Sequence, residues 1–209
     1  RLAGDDPSVN NEWNCDKGRF AFAYTHSGER LSTPLVRGAD GELHEASWPE
    51  ALAVAAAGLK GKRAGVLVGG RATIQDAYGY SKFARVALGT NDIDFRSRFG
   101  SDEERSFLSS IALDLTTSYK DIDKADQVVL IGFEPEDESP IVFLRLYKQV
   151  RKRGMKVLSD APFASRGSKK LNATLIRSIS EVTGLTDKSV VILGERAAEA
   201  KGLISQVVA

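Results

Sequence analysis

The clearest pattern in the chain lies between Asp126 and Asp160. Val128, Val129, Leu130 and Ile131 form an unbroken apolar run that ends in Gly132, the pattern of a strand covered on both faces of a parallel sheet. Ser139 then offers an N-cap, and Pro140 stands where a first helical residue needs no N–H. Val142, Leu146 and Val150 recur every four positions, with Ile141, Phe143 and Tyr147 beside them. This spacing predicts an amphipathic helix with its apolar stripe on the sheet and Arg145, Lys148, Gln149 and Lys152 pointing away. Burying five or six such side chains is worth roughly 8 to 15 kcal/mol gross, before conformational entropy is subtracted. Arg151, Lys152 and Arg153 complement the negative end of the helix dipole, Gly154 ends the helix, and Lys156 to Ser159 return as a strand. Strand, crossover helix and strand in that order make a right-handed βαβ unit.

The same change of period recurs on both sides. Ser47-Trp48-Pro49-Glu50 combines an N-cap, an early proline and a glutamate at the capping-box position, and leads into a helix over Ala51 to Leu59. Ala64 to Val68 reads as a buried strand, Thr73 caps a helix from Ile74 to Leu88, and Ile93 to Phe95 is a second strand, so a first βαβ unit spans about 64 to 96. Ser101-Asp102-Glu103-Glu104 opens a helix through about Leu113. Ala161 to Lys170 reads as a basic loop, and Leu171 to Ile179 fits no single period. Ser189 to Leu193 is a further strand, and a last helix follows it. Strands alternating with helices in this way predict an α/β fold: an open, mostly parallel, Rossmann-like sheet with helices on both faces. Residues 1–50 have a different texture, with short turns, both tryptophans, both histidines and the single cysteine, and read as strand and loop. Two regions are therefore expected, 1–50 and an α/β domain over 51–209. The second reads as truncated at its C-terminal end, because the chain stops inside the helical pattern AAEAKGLISQVVA.

Bulk properties narrow the function classes. Lys plus Arg (29) against Asp plus Glu (28) leaves a net charge of +1, so charge gives no argument for nucleic acid or a membrane surface. No apolar run approaches bilayer length, and the polar N-terminal segment has no signal-peptide core. A single cysteine rules out an internal disulfide and points to a reducing, cytoplasmic setting. In an open α/β sheet the ligand crevice lies beyond the carboxyl ends of the strands, here Gly69-Gly70-Arg71, Gly132 to Pro140 and Asp160 to Lys170. A stand-alone nucleotide-binding module is therefore one reading. Against it, no glycine-rich phosphate motif follows any strand, and Glu134, Glu136, Asp137 and Glu138 stand where a phosphate would sit. The plainer reading is a structural loop whose acids favour a helix N-terminus. No catalytic residue emerges. His26 and His44 lack ligand-spaced partners, while Arg166, Lys169 and Lys170 read as a solvated loop or subunit contact. Trp13 and Trp48 read as packing in the core or at a domain junction. Cys15 is either a small buried apolar residue or a metal ligand, and one thiolate cannot by itself hold a cluster that needs four.

Around Cys15 the run Asn14-Cys15-Asp16-Lys17-Gly18, followed by Leu31-Ser32-Thr33-Pro34-Leu35-Val36-Arg37, resembles the end of the iron–sulfur segment of the molybdopterin oxidoreductase superfamily. There, three upstream cysteines are completed by a fourth in a Cys-x-Lys-Gly sequence. The resemblance continues in order through Gly69-Gly70-Arg71-Ala72-Thr73, Lys82-Phe83-Ala84-Arg85 and Leu88 to Asp94. Phe95 to Arg98, Glu103-Glu104, Asp137 to Pro140 with Leu144-Arg145-Leu146, and Ile192 to Arg196 resemble one branch in particular. That branch comprises the large peripheral-arm subunits of bacterial NADH:quinone oxidoreductase (NADH dehydrogenase), respiratory complex I. The resemblance implies a molybdopterin-oxidoreductase-like fold preceded by a 4Fe-4S segment.

Departures from the superfamily pattern qualify what it implies. In catalytic members such as formate dehydrogenase, a cysteine or selenocysteine that binds molybdenum stands two residues after the arginine matched by Arg98, often followed by histidine. Gly100 and Ser101 occupy those places here, and glycine offers a metal no side chain. Asp160-Ala161-Pro162 also lacks the arginine usual after that strand. The resemblance thus implies a scaffold without molybdenum or molybdopterin, with a molybdopterin-dependent oxidoreductase as the alternative. It implies Cys15 as fourth ligand of a [4Fe-4S] cluster whose other cysteines precede Arg1, so that residues 1–209 alone would hold no cluster. Lys17 would lie near that cluster, where an ammonium stabilises a thiolate and tunes potential. The implied partners are the other subunits of the peripheral arm, without nucleic acid and without membrane insertion. The implied location is cytoplasmic, peripheral to the inner face of the membrane, with no activity in this segment alone.

Overall fold

Both predicted strand–helix–strand units form, each at the centre of its own compact unit. The computed structural model describes residues 6–10, 13–96, 98–112 and 117–208, without the side chain of Lys17. The smaller unit is Phe22–Phe99, and the larger combines the described residues of Arg1–Ala21 and Gly100–Ala209. Helix α1 (Asp16–Phe20) and a 3-10 segment at Ala21–His26 give helical turns where strand and loop were expected. Asp16 in the first turn complements the positive end of the first.

In the smaller unit, β1 (Leu35–Arg37) and β2 (Leu43–Glu45) pair antiparallel, with Val36 opposite His44. Gly41 takes φ +83° in the connecting turn, a conformation that glycine adopts without penalty. Helix α2 (Trp48–Leu59) starts as its sequence predicts, with the Ser47 hydroxyl accepting from the Glu50 N–H. Strands β3 (Val66–Leu67) and β4 (Ile93–Asp94) run parallel around α3 (Ile74–Val86), whose first turn is closed by a Thr73–Asp76 capping box. The predicted buried strand Ala64 to Val68 is thus cut to two residues, with Leu67 79% exposed. Two strands are too few to cover both faces. Trp48, read as packing, is 68% exposed.

In the larger unit, α4 (Asp102–Ile111) and α5 (Tyr119–Lys124) precede β5 (Gln127–Ile131). Then come α6 (Pro135–Glu138), α7 (Pro140–Arg153), β6 (Lys156–Asp160), α8 (Arg166–Lys170), β7 (Thr174–Ile176), β8 (Ser189–Leu193) and α9 (Leu203–Val208). The strands lie in the order β7-β6-β5-β8, all parallel, with Val128 level with Val157 and Val190. The unbroken apolar run is therefore one of the sheet's two interior strands, buried on both faces. Val128, Leu130 and Val157 pack with Val142, Phe143 and Leu146 of α7 and Ile122 of α5. On the other face, Val129 and Ile131 pack with Ala197 and are flanked by Ile179, Leu203 and Val207. Helices cover both faces, as predicted.

Three local expectations change. The basic stretch Ala161 to Lys170 ends in α8, because Ser165 and Ser168 cap each other's backbone. The ambiguous stretch Leu171 to Ile179 contains β7, and the last helix is divided at Gly202 (φ +81°) into a 3-10 segment, Glu195–Glu199, and α9. On α7, Lys148 and Lys152 face solvent as predicted, but Arg145 and Gln149 are buried. Asp123 and the segment Pro7–Val9 cover Arg145, while Gln149 accepts from Arg153.

Candidate functional site

Two places in the larger unit correspond to the predicted chemistry: the carboxyl ends of the strands, and the Cys15 segment. At the first, β5 ends in Gly132 with φ +57°. A Cβ built there would lie 2.5 Å from the Ala197 nitrogen. The Gly194 N–H donates to the Ile131 carbonyl at 2.8 Å, so the β5 and β8 turns are closed against each other. An open groove of about 590 Å³ remains, lined by Phe133, Glu138, Leu193, Gly194, Glu195 and Arg196.

Two of the acids of this loop, Glu136 and Glu138, pair with cations from other elements. Glu136 of α6 accepts from Lys170 and, at 3.2 Å, from Arg166, both on α8. Glu138 accepts from Arg196 at 2.6 Å and from the Glu134 N–H at 2.7 Å. Arg166 and Lys170 therefore tie α8 to α6 rather than standing as a bare solvated loop. A pterin dinucleotide would bring pyrophosphate charge to this crevice, and the carboxylates there, paired with the nearby cations, do not fit it.

The Lys170 hydrogen bond, and after it Arg166, hold the Glu136 carboxyl below the usual glutamate range. A depressed folded-state value means that the tie is fully present above the unfolded value and is lost as pH falls through the folded one. Thermal melts between pH 7 and pH 3 are expected to show Glu136→Gln melting below wild type at pH 7. The gap should close as pH falls through the lowered folded-state value. Parallel curves would refute the role of this carboxylate.

Gly100 and Ser101 stand at the places where the resemblance expected a molybdenum ligand. Among the described residues, chain neighbours aside, the nearest atom to a Cβ built on Gly100 is a Glu104 carboxylate oxygen at 3.8 Å; the position has space for a side chain but supplies no side-chain donor atom. Ser101 caps α4, its hydroxyl accepting from the Glu104 N–H at 3.0 Å. In the same helix Glu103 accepts from the N–H groups of Gly202 and Ser205, tying α4 to the start of α9.

Cys15 is exposed and free, not a buried apolar residue. Its sulfur accepts from the Gly18 N–H at 3.2 Å, an N–H···S contact of the kind that tunes cluster potentials. Lys17 sits in α1 by its backbone, and its side chain lies outside what is described. Trp13, half-buried, lies under the Lys148 ammonium, 6.0 Å from ring centre to nitrogen. Among the described residues no group of three or more His, Cys, Asp and Glu side chains could hold a metal. His44 pairs with Asp40 at 2.8 Å and His26 stands edge-on to Phe22. One accessible cysteine could serve a cluster only as a single ligand, with the others supplied from elsewhere. The importance of Arg145 was not visible in the local pattern. No helix among the described residues is long and apolar enough to cross a membrane.

Residues 30–177 match the family model described as molybdopterin oxidoreductase. The chain is 49% identical, over 98% of its length, to the G subunit of NADH-quinone oxidoreductase from Mycobacterium tuberculosis, and covers 28% of that protein. It is 54% identical over 84% of its length to the corresponding G subunit from Streptomyces coelicolor, covering 23%. The alpha chain of an F420-dependent formate dehydrogenase from Methanococcus maripaludis is 31% identical over 77% of the chain, which covers 25% of it. The chain thus spans about a quarter of the length of the curated relatives it matches.

Proposed function

This chain belongs to the molybdopterin oxidoreductase family, and on that premise we propose that it is part of an electron-transfer subunit of NADH:quinone oxidoreductase. In this reading residues 51–209 are a scaffold that keeps the family fold without molybdenum chemistry. Residues 1–50 complete an iron–sulfur segment. The observation that carries the proposal is the 49–54% identity to the G subunits of that complex over most of the chain. Gly100, which has no side-chain donor atom, is the feature that sets it against the formate dehydrogenase alternative.

Cys15 supplies one thiolate of a [4Fe-4S] cluster in the intact subunit, with the remaining ligands coming from other parts of that subunit. Such a cluster, when bound, accepts and passes on single electrons. The protein's own contribution is to present the sulfur, donate to it from the Gly18 N–H and hold the segment on α7. Lys17 adds positive charge near the thiolate. Neighbouring subunits of the peripheral arm are the partners, and the subunit sits at the inner face of the membrane without inserting into it. This segment binds neither NADH, flavin, quinone nor nucleic acid.

Reconstituting the intact subunit with Cys15→Ser tests the proposal. The variant is expected to lose about four iron atoms per subunit and one paramagnetic signal. An unchanged cluster count and spectrum would remove Cys15 from the ligand set. Stoichiometric pterin in the wild-type subunit would overturn the scaffold reading.

A further inference from the structure

We propose that Arg145 is a positioning residue for Cys15: it fixes the segment carrying the sulfur onto the outer side of α7. The inference rests on the reading of Cys15 as a cluster ligand. It starts from an anomaly. Arg145 is the bulkiest of the fully buried side chains, 2% exposed, on the side of α7 that the helical pattern assigns to solvent. Burying a guanidinium is costly unless its donors are matched.

Three contacts match most of them, and each explains part of the burial. One arm donates to the Asp123 carboxylate. The other donates to the carbonyls of Pro7 at 3.1 Å and Val9 at 2.9 Å, and the Tyr119 ring packs 5.2 Å from the guanidinium carbon. Nε has no partner among the described residues. The side chain therefore bridges one carboxylate and the backbone of a segment far away in sequence. Only the forked guanidinium makes both connections at once; a lysine ammonium lacks that geometry.

The grip reaches Cys15 through a short closed path. Asn10, next to Val9, accepts from the Trp13 N–H at 2.8 Å and donates its side-chain amide to the Trp13 carbonyl at 3.3 Å. The Trp13 ring in turn lies under the ammonium of Lys148, three residues beyond Arg145 on α7. The segment is thus held at two positions about one turn apart on one helix, the nearer only two residues before the sulfur. A cluster bound at Cys15 takes its place against the larger unit from this attachment.

The test uses the intact subunit with Arg145→Lys, read by hydrogen exchange and by the paramagnetic signal of the cluster. Amide exchange at Val9, Asn10 and Trp13 is expected to speed up by about tenfold, while that of β5 stays unchanged. The cluster is expected to remain, with a broadened or shifted signal. Should Arg145→Lys fail to fold, Asp123→Asn keeps the guanidinium and weakens its charged partner, and the same amides are expected to loosen to a smaller degree. Unchanged exchange in the folded variant, or an unmoved signal, overturns the inference. Loss of the cluster in Cys15→Ser with an unmoved signal in Arg145→Lys would sink this inference alone. An intact cluster in Cys15→Ser would sink the ligand reading first.

Discussion

Leu146→Ala is expected to destabilise the larger unit by about 3 to 5 kcal/mol, a large part of the 5 to 15 that a domain has in total. Leu146 is completely buried beneath β5 and β6. Its core cluster draws on the sheet, α5 and α7, and such close packing leaves the site little freedom to collapse around the cavity. The melting temperature of this unit should fall by roughly 10 to 20 °C. Leu67→Ala, at an exposed position of the smaller unit, is expected to change stability by no more than about 0.5 kcal/mol. Circular dichroism melts of the two variants give the comparison. A Leu146→Ala cost below about 1 kcal/mol would mean that α7 does not lie on the sheet as described.

Gly132→Ala is expected to cost about 2 to 4 kcal/mol, through two separable effects. The residue has φ +57°, where an L side chain is strained. A Cβ there would also meet backbone atoms of Arg196 and Ala197, which cannot rotate away as a flexible side-chain tip could. Gly154, the C-cap of α7, has φ +67° but nothing within 4 Å of a built Cβ. Gly154→Ala should therefore show only the conformational part, about 1 kcal/mol. The difference between the two, measured by denaturant unfolding, reports the collision at the β5–β8 turn. Equal costs would show that the turn has room that the structure does not give it.

Where periodicity and burial coincide locally, the fold was legible in the sequence. The apolar run at Val128 to Ile131, the four-residue recurrence along α7 and its stop at Gly154 all appear as the pattern predicts. Arg145 was misread for a physical reason: a helical wheel separates polar from apolar sides but contains nothing about a distant segment that covers the polar side. The acids of Glu134 to Glu138 do stand at a helix N-terminus, as read, but the cations that pair with Glu136 and Glu138 were not visible locally. Those cations, Arg166, Lys170 and Arg196, come from later elements of the chain. Cys15 marked a candidate site only because its neighbours resemble a family motif; exposure and the Gly18 contact are properties of the folded chain. The shortening of β3 follows from how few strands share its sheet, which no local pattern records.

The larger unit is assembled from two stretches separated along the polypeptide by Phe22–Phe99. Bringing Pro7 and Val9 to Arg145 thus requires closing a long loop, an entropic cost of about 4 kcal/mol that the sheet itself does not bear. The β5–α7–β6 core involves only near neighbours in sequence and forms without that closure. The order of assembly follows: the strands and α7 come first, and the stretch bearing the sulfur attaches last. On warming it is expected to be the first to come away, ahead of the frame that supports it.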